Sequence, residues 1–100
     1  MYFMILGSDG EDGVAIRARI RPEHRHYLRH HGVPGLTVLM GGPTLADDGE
    51  AMNGTLLVVE ADALETVHRF VAGDPYTRAG LFRAVDIRPW SWSLGQPERG

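Results

Sequence analysis

Residues 54–73 read GTLLVVEADALETVHRFVAG, and the fold is decided in this stretch. Gly54–Glu60 has the leucine-rich, β-branched centre of a buried strand. Directly after it, Asp62 stands three residues before Glu65. That is the spacing of a capping box, in which two side chains satisfy the free backbone donors at a helix start. A helix is predicted from Ala63 to about Ala72, with Leu64, Val67, Phe70 and Val71 as its buried stripe and Gly73 as its stop.

Reading outward toward the C-terminus, Asp74–Gly80 is a turn or a short helical piece, and Leu81–Trp90 is the last strand. Residues 94–100 are expected to form a flexible tail beyond one domain spanning residues 1–93. Reading back toward the N-terminus, Thr44–Asn53 is acidic and loop-like, and Leu36–Gly41 is a strand that Gly41, Gly42 and Pro43 bring to an end. Before it, a helix is predicted from about Val14 to His31, broken or kinked near Arg21 because Pro22 lacks an N–H and crowds the preceding turn, with Gly32 as its stop. Tyr2–Leu6 is an apolar run bounded by Gly7, Ser8, Asp9 and Gly10, hence the first strand. The order is β-α-β-β-α-β, the ferredoxin-like pattern of an α+β sandwich. Two helices cover one face of a four-stranded antiparallel sheet. The other face also carries apolar residues, and a chain of 100 residues has nothing left to cover it. A homodimer with the sheets face to face, a barrel-like pair, is therefore expected.

Composition removes several kinds of chemistry. There are no cysteines, so disulfides, thiolate metal sites and cysteine nucleophiles are excluded. All ten basic residues are arginine, which argues against Schiff-base chemistry on a lysine. Net charge is −3 with no basic run, which argues against nucleic acid as a partner. No apolar stretch is long enough to span a membrane, and the start reads as a strand rather than a signal peptide; a cytoplasmic location is the expectation. No G-x-G-x-x-G occurs and Gly41–Gly42 is too short for a phosphate loop, so no nucleotide cofactor is expected.

Five histidines stand out: His24, His26, His30, His31 and His68. On the first helix His24, Tyr27, Leu28 and His31 share a face by the i, i+3, i+4, i+7 rule, so His24 points inward or toward a cleft. His26 and His30 have the i, i+4 spacing of two metal ligands, but zinc needs further ligands and no carboxylate is placed to serve; solvated histidines are expected, and no metal. His24 on an apolar face reads either as a core histidine bonded to a carbonyl or as half of a functional pair. Asp74, opening Asp74–Pro75–Tyr76, is the candidate partner, although an aspartate before proline also serves simply to start a turn.

The segment Arg21–Pro22–Glu23–His24–Arg25–His26–Tyr27–Leu28 resembles the R-P-x-H-x-x-x-L helix of YciI-like (YCII-related) proteins. Gly41–Gly42–Pro43, Gly54–Glu60, Asp74–Pro75–Tyr76 with Ala79–Gly80–Leu81, and Val85–Trp90 are similar to later segments of the same family, in the same order. The region around the first helix departs from the pattern in its wealth of His and Arg. The resemblance implies ferredoxin-like subunits in a dimeric α/β barrel and a His–Asp pair in a cleft, here His24 and Asp74, proposed in the family as catalytic. It also brings a precedent, since a family member is a dehydrochlorinase acting on a chlorinated hydroxyquinol.

Such a pair suits proton transfer, because a carboxylate on one ring nitrogen fixes the tautomer and leaves the other nitrogen as general base or acid. Ser8, Ser91 and Ser93 lie outside any nucleophile-elbow context, so lyase, dehydrochlorinase or isomerase chemistry fits better than acyl transfer. Arg21 and Tyr76 are candidates to orient an anionic or phenolic substrate. Three readings stand at this point. One is a cofactor-independent enzyme using His24 and Asp74. Another is a non-catalytic ligand-binding or regulatory module using the same cleft. The last is a purely structural domain in which His24 and Asp74 are unconnected.

Overall fold

The computed structural model describes residues 1–97. The elements run β1 (Tyr2–Asp9), α1 (Gly13–His30), β2 (Leu36–Leu45), β3 (Met52–Ala61), α2 (Leu64–Gly73), α3 (Pro75–Arg78) and β4 (Phe82–Trp90). Every strand pairing is antiparallel, in the order β2-β3-β1-β4. This is the ferredoxin-like βαββαβ fold, with α3 inserted as a single turn before the last strand.

Strand alternation puts Phe3 and Ile5 of β1 opposite Val59 and Leu57 of β3. These four side chains meet Val67 and Phe70 of α2 in the core, joined by Leu36 and Ala61. Burying a large apolar side chain of this kind is worth about 1.5–3 kcal/mol. The alternate residues of the sheet face the other way. There Met4 pairs with Val58 and Leu6 with Leu56, while Met40 also lies against Val58. Among the described residues no helix covers that face, and Leu56 and Met40 remain 41% and 46% exposed.

Four local expectations are corrected. Gly41, Gly42 and Pro43 do not end β2, which runs on to Leu45 with Pro43 opposite Thr55. An edge strand tolerates proline because the missing N–H lies on its unpaired side. Gly41 fits because a Cβ there would run into the Leu57 side chain. The capping box does not form. Ala63, with extended backbone, precedes the first turn of α2, and the Asp62 carboxylate instead accepts a hydrogen bond from the Thr66 hydroxyl. Leu64, at the very start of α2, stays 42% exposed and is not part of the buried stripe. Finally, α1 is one uninterrupted helix with Pro22 inside it. The carbonyl of Ala18, deprived of its usual donor, belongs to an exposed turn that also carries the exposed Pro22, so solvent can satisfy it.

Gly32 follows the helix with φ of +69°, the left-handed conformation expected of a stop glycine. Where α1 and α2 come together, the Tyr27 hydroxyl donates to the Phe70 carbonyl at 2.7 Å. Gly73 is needed beside it, since a Cβ there would stand 2.6 Å from the Tyr27 oxygen. Of the expected flexible tail 94–100, residues 98–100 lie outside the described residues; within the described part, Gln96 donates to the Tyr2 hydroxyl at 2.7 Å.

Candidate functional site

Asp74 lies where α2 gives way to α3. The following Pro75 restricts it to extended backbone, and φ −65°, ψ 127° obey that restriction. Pro75 then opens α3, the position where its missing N–H costs nothing. The Asp74 carboxylate caps the turn by accepting from the Tyr76 N–H at 2.9 Å through Oδ1. The same Oδ1 lies 2.8 Å from Nδ1 of His24, fifty residues earlier in the chain. Both partners are deeply buried, His24 6% and Asp74 4% exposed. An ionised carboxylate only accepts, so Nδ1 carries the hydrogen and donates it, and the lone pair of the neutral ring sits on Nε2.

A column of stacked groups holds the imidazole from the side. The Tyr76 ring lies almost parallel to the His24 ring, 18° apart with centroids at 3.9 Å. On Tyr76, in turn, sits the Arg17 guanidinium, 5.2 Å from the ring centroid. Arg17 is 4% exposed. Its Nε donates to Asp9 Oδ2 at 2.7 Å, and its Nη2 reaches Asp9 Oδ1 at 2.9 Å, the Gly54 carbonyl at 2.6 Å and Thr55 Oγ1 at 2.8 Å. Burial works against the charge on Arg17, but the hydrogen bonds and negative charge of Asp9, joined by Tyr76, together outweigh it and raise the guanidinium pKa. The column thus ties α1 and α3 to β1 and β3. Nearby, burial and then the Asp74 charge push the Tyr27 phenol above its ordinary pKa, so it remains a donor to Phe70.

A cavity of about 270 Å³ opens beside the column. His24, Tyr76 and Arg21 all line it, while Asp74 stands behind His24 and off the wall. Arg21 is half-buried, and its Nη2 rests 3.7 Å from Met52 Sδ. The remaining wall includes Gly41, Gly42 and Pro43 of β2. All four residues singled out in the sequence therefore gather at one place. His26 and His30 stay exposed with their rings 4.7 Å apart, and among the described residues no cluster of three metal-ligating side chains occurs.

Asp9, Arg17 and Thr55 were missed by the sequence reading. Asp9 reads as a turn former after the first strand, and it is in fact the last residue of β1. A signal was available. Arg17 precedes His24 by seven residues, two helical turns, and so shares its face if α1 is continuous. The expected break at Pro22 hid that relation.

Comparison with known proteins agrees with this architecture. The chain is 30% identical to Protein YciI of Escherichia coli O6:H1 over 95 residues, 90% of this chain and 96% of the other. It is 34% identical to the structure of 5-chloro-2-hydroxyhydroquinone dehydrochlorinase (TftG) of Burkholderia phenoliruptrix, in complex with 2,5-dihydroxybenzoquinone. That match has a TM-score of 0.77 and covers 91% of this chain and 94% of the other. SnoaB of Streptomyces nogalater, a cofactor-independent oxygenase, shares the fold at 12% identity with a TM-score of 0.55, over 97% of this chain and 96% of the other. Residues 1–91 match the model of the YCII-related domain, and the chain belongs to that family.

Proposed function

We propose that this protein is a cofactor-independent enzyme that moves a proton on a small aromatic or enolisable substrate, with His24 as the acid/base group and Asp74 as the residue that holds its tautomer. The observation that carries this reading is the buried 2.8 Å contact between His24 Nδ1 and Asp74 Oδ1, with His24 on the wall of a cavity. With Nδ1 engaged, Nε2 is the nitrogen left for a ligand. In an elimination, a C–H or O–H proton of the substrate passes to Nε2. The electron pair left behind forms the new double bond, and the leaving group departs with its own pair. In an isomerisation the imidazolium returns the proton to a different atom. General acid/base catalysis of this kind is worth roughly 10²–10⁴ in rate. Arg21 orients the substrate by charge, while Tyr76, 2% exposed and stacked on His24, acts by holding the imidazole in place. The similarity to a chlorohydroxyhydroquinone dehydrochlorinase supports a phenolic substrate and elimination chemistry.

The active form in this reading is a homodimer joined through the open sheet face, whose exposed Leu56 and Met40 are apolar and uncovered.

The test uses 5-chloro-2-hydroxyhydroquinone, followed by chloride release, together with deuterium uptake into the ring of 2-hydroxyhydroquinone in D₂O. The wild-type protein should accelerate at least one of these, and His24→Ala should reduce that rate by at least about 10²-fold with the circular dichroism spectrum unchanged. If the wild type accelerates neither, or His24→Ala is as fast as wild type, the acid/base reading fails. Saturable binding without product would then favour a ligand-binding module.

A further inference from the structure

The charge of the cavity wall goes beyond what a proton-transfer pair needs. Arg17, Arg21, Arg25 and Arg29 all line the cavity, and no aspartate or glutamate does. The protein as a whole carries a net charge of −3, so the local sign is opposite to the overall one. The four arginines follow each other at i, i+4 along α1. Like charges at that spacing work against a helix. The helix dipole favours Arg29, in the last turn, but offers nothing to Arg21 or Arg25 in the middle. Arg17 is neutralised by Asp9. Arg25 and Arg29 have no carboxylate within ion-pair distance among the described residues, and Arg21 meets only a thioether.

We infer that Arg25 and Arg29 form an anion subsite at the far end of this cavity, and that the substrate is a small phenol or enol that also carries a carboxylate. The inference rests on the reading of the cavity as the reaction site. Arg29 is five residues beyond His24, roughly 7.5 Å along the helix axis. One ring with a carboxylate substituent spans a distance of that order, placing its acidic phenol or C–H at His24 and its carboxylate between the two guanidinium groups. Arg21 lies on the other side of His24 and takes the charge that develops on the ring oxygen. The cavity volume, at the small end for ligand sites, admits a single ring. Guanidinium groups suit the carboxylate because their paired N–H donors match its two oxygens.

Two probes differing only in the carboxylate test this: 2,5-dihydroxybenzoate and hydroquinone, titrated calorimetrically into the protein at low salt. The wild type should bind the carboxylate-bearing ring at least tenfold more tightly. Arg25→Gln/Arg29→Gln should bring that ratio near one. Arg69→Gln/Arg83→Gln, which removes two exposed arginines outside the cavity, should leave the ratio intact. Equal affinities in the wild type, binding of neither probe, a ratio that survives Arg25→Gln/Arg29→Gln, or one that collapses equally in the Arg69/Arg83 control would each overturn the inference. Because the readout is affinity, it separates from the catalytic reading. A carboxylate preference without proton transfer sinks only the latter, and His24-dependent turnover without the preference sinks only the subsite.

Discussion

Replacing Asp74 by alanine or by asparagine separates its two tasks. In Asp74→Ala the turn of α3 loses its cap, the bond from the Tyr76 N–H, which costs about 1 kcal/mol. The buried His24 also loses the one hydrogen-bond partner it has among the described residues, leaving a ring nitrogen unsatisfied at about 1–3 kcal/mol. The two losses together amount to about 2–4 kcal/mol, and a domain of this size shifts in Tm by about 4–8 °C per kcal/mol. Asp74→Asn keeps an oxygen in place for both bonds, and asparagine caps about as well as aspartate. It loses only the charge assistance, which is about half the strength of the bond to His24, on the order of 1 kcal/mol. Urea unfolding of both variants should therefore rank wild type above Asp74→Asn and Asp74→Asn above Asp74→Ala, with unchanged m-values. A cycle with His24→Ala and the double variant should give a coupling of about 1–3 kcal/mol between positions 24 and 74. If Asp74→Ala and Asp74→Asn unfold within about 0.5 kcal/mol of each other, or the two positions prove additive, the assignment of both roles to one carboxylate is refuted.

Arg17→Met should be more damaging, lowering stability by about 3–5 kcal/mol, because it strands the buried Asp9 carboxylate without a partner; an additional Asp9→Asn should restore much of the loss in the same unfolding assay. His31 gives an acid slope. Burial lowers its pKa, and its neutral Nδ1 accepts from the Val33 N–H at 2.8 Å. The unfolded chain then takes up the proton more readily, so this contribution is complete above about pH 6.5 and is lost as pH falls through the lowered folded value. His31→Gln should flatten that part of a Tm-versus-pH curve, and an unchanged slope would exclude His31 as its source. Leu56→Glu, on the open sheet face, should convert a dimer to monomer in sedimentation analysis; a wild type that is already monomeric, or a variant that stays dimeric, argues against that face as the interface.

Much of this molecule is legible in its sequence because its elements are short and each carries its own signal. Val67, Phe70 and Val71 mark the packed side of α2, and Gly32 marks the end of α1. His24 and Asp74 were readable as a pair from the family resemblance of the segments that hold them, and the fold brings those segments together. What failed depended on the neighbours of a residue rather than on the residue itself. Gly41–Gly42–Pro43 looks like a terminator, but at the edge of a sheet a proline breaks no ladder. Pro22 looks like a break, but the rest of an 18-residue helix holds the backbone through it. Asp62 has the spacing of a cap, but the helix begins one residue later and the carboxylate turns to Thr66. Asp9 and Arg17 are separated by a loop, and only the register of β1 against β3 sets their ion pair beside Gly54 and Thr55.

The two sides of the cavity differ in how freely they can change over evolutionary time. On one side, His24, Tyr76 and Arg17 are each fixed by partners on other elements. A substitution at any of them disturbs the rest, so that side resists single changes. On the other side, Arg25, Arg29, Pro43 and Met52 are exposed, and few bonds hold them. Those residues can be exchanged singly, each change altering which molecule fits while His24, Tyr76 and Arg17 stay where they were. If the site works as proposed, a common reaction spread over many substrates is the pattern such a division favours.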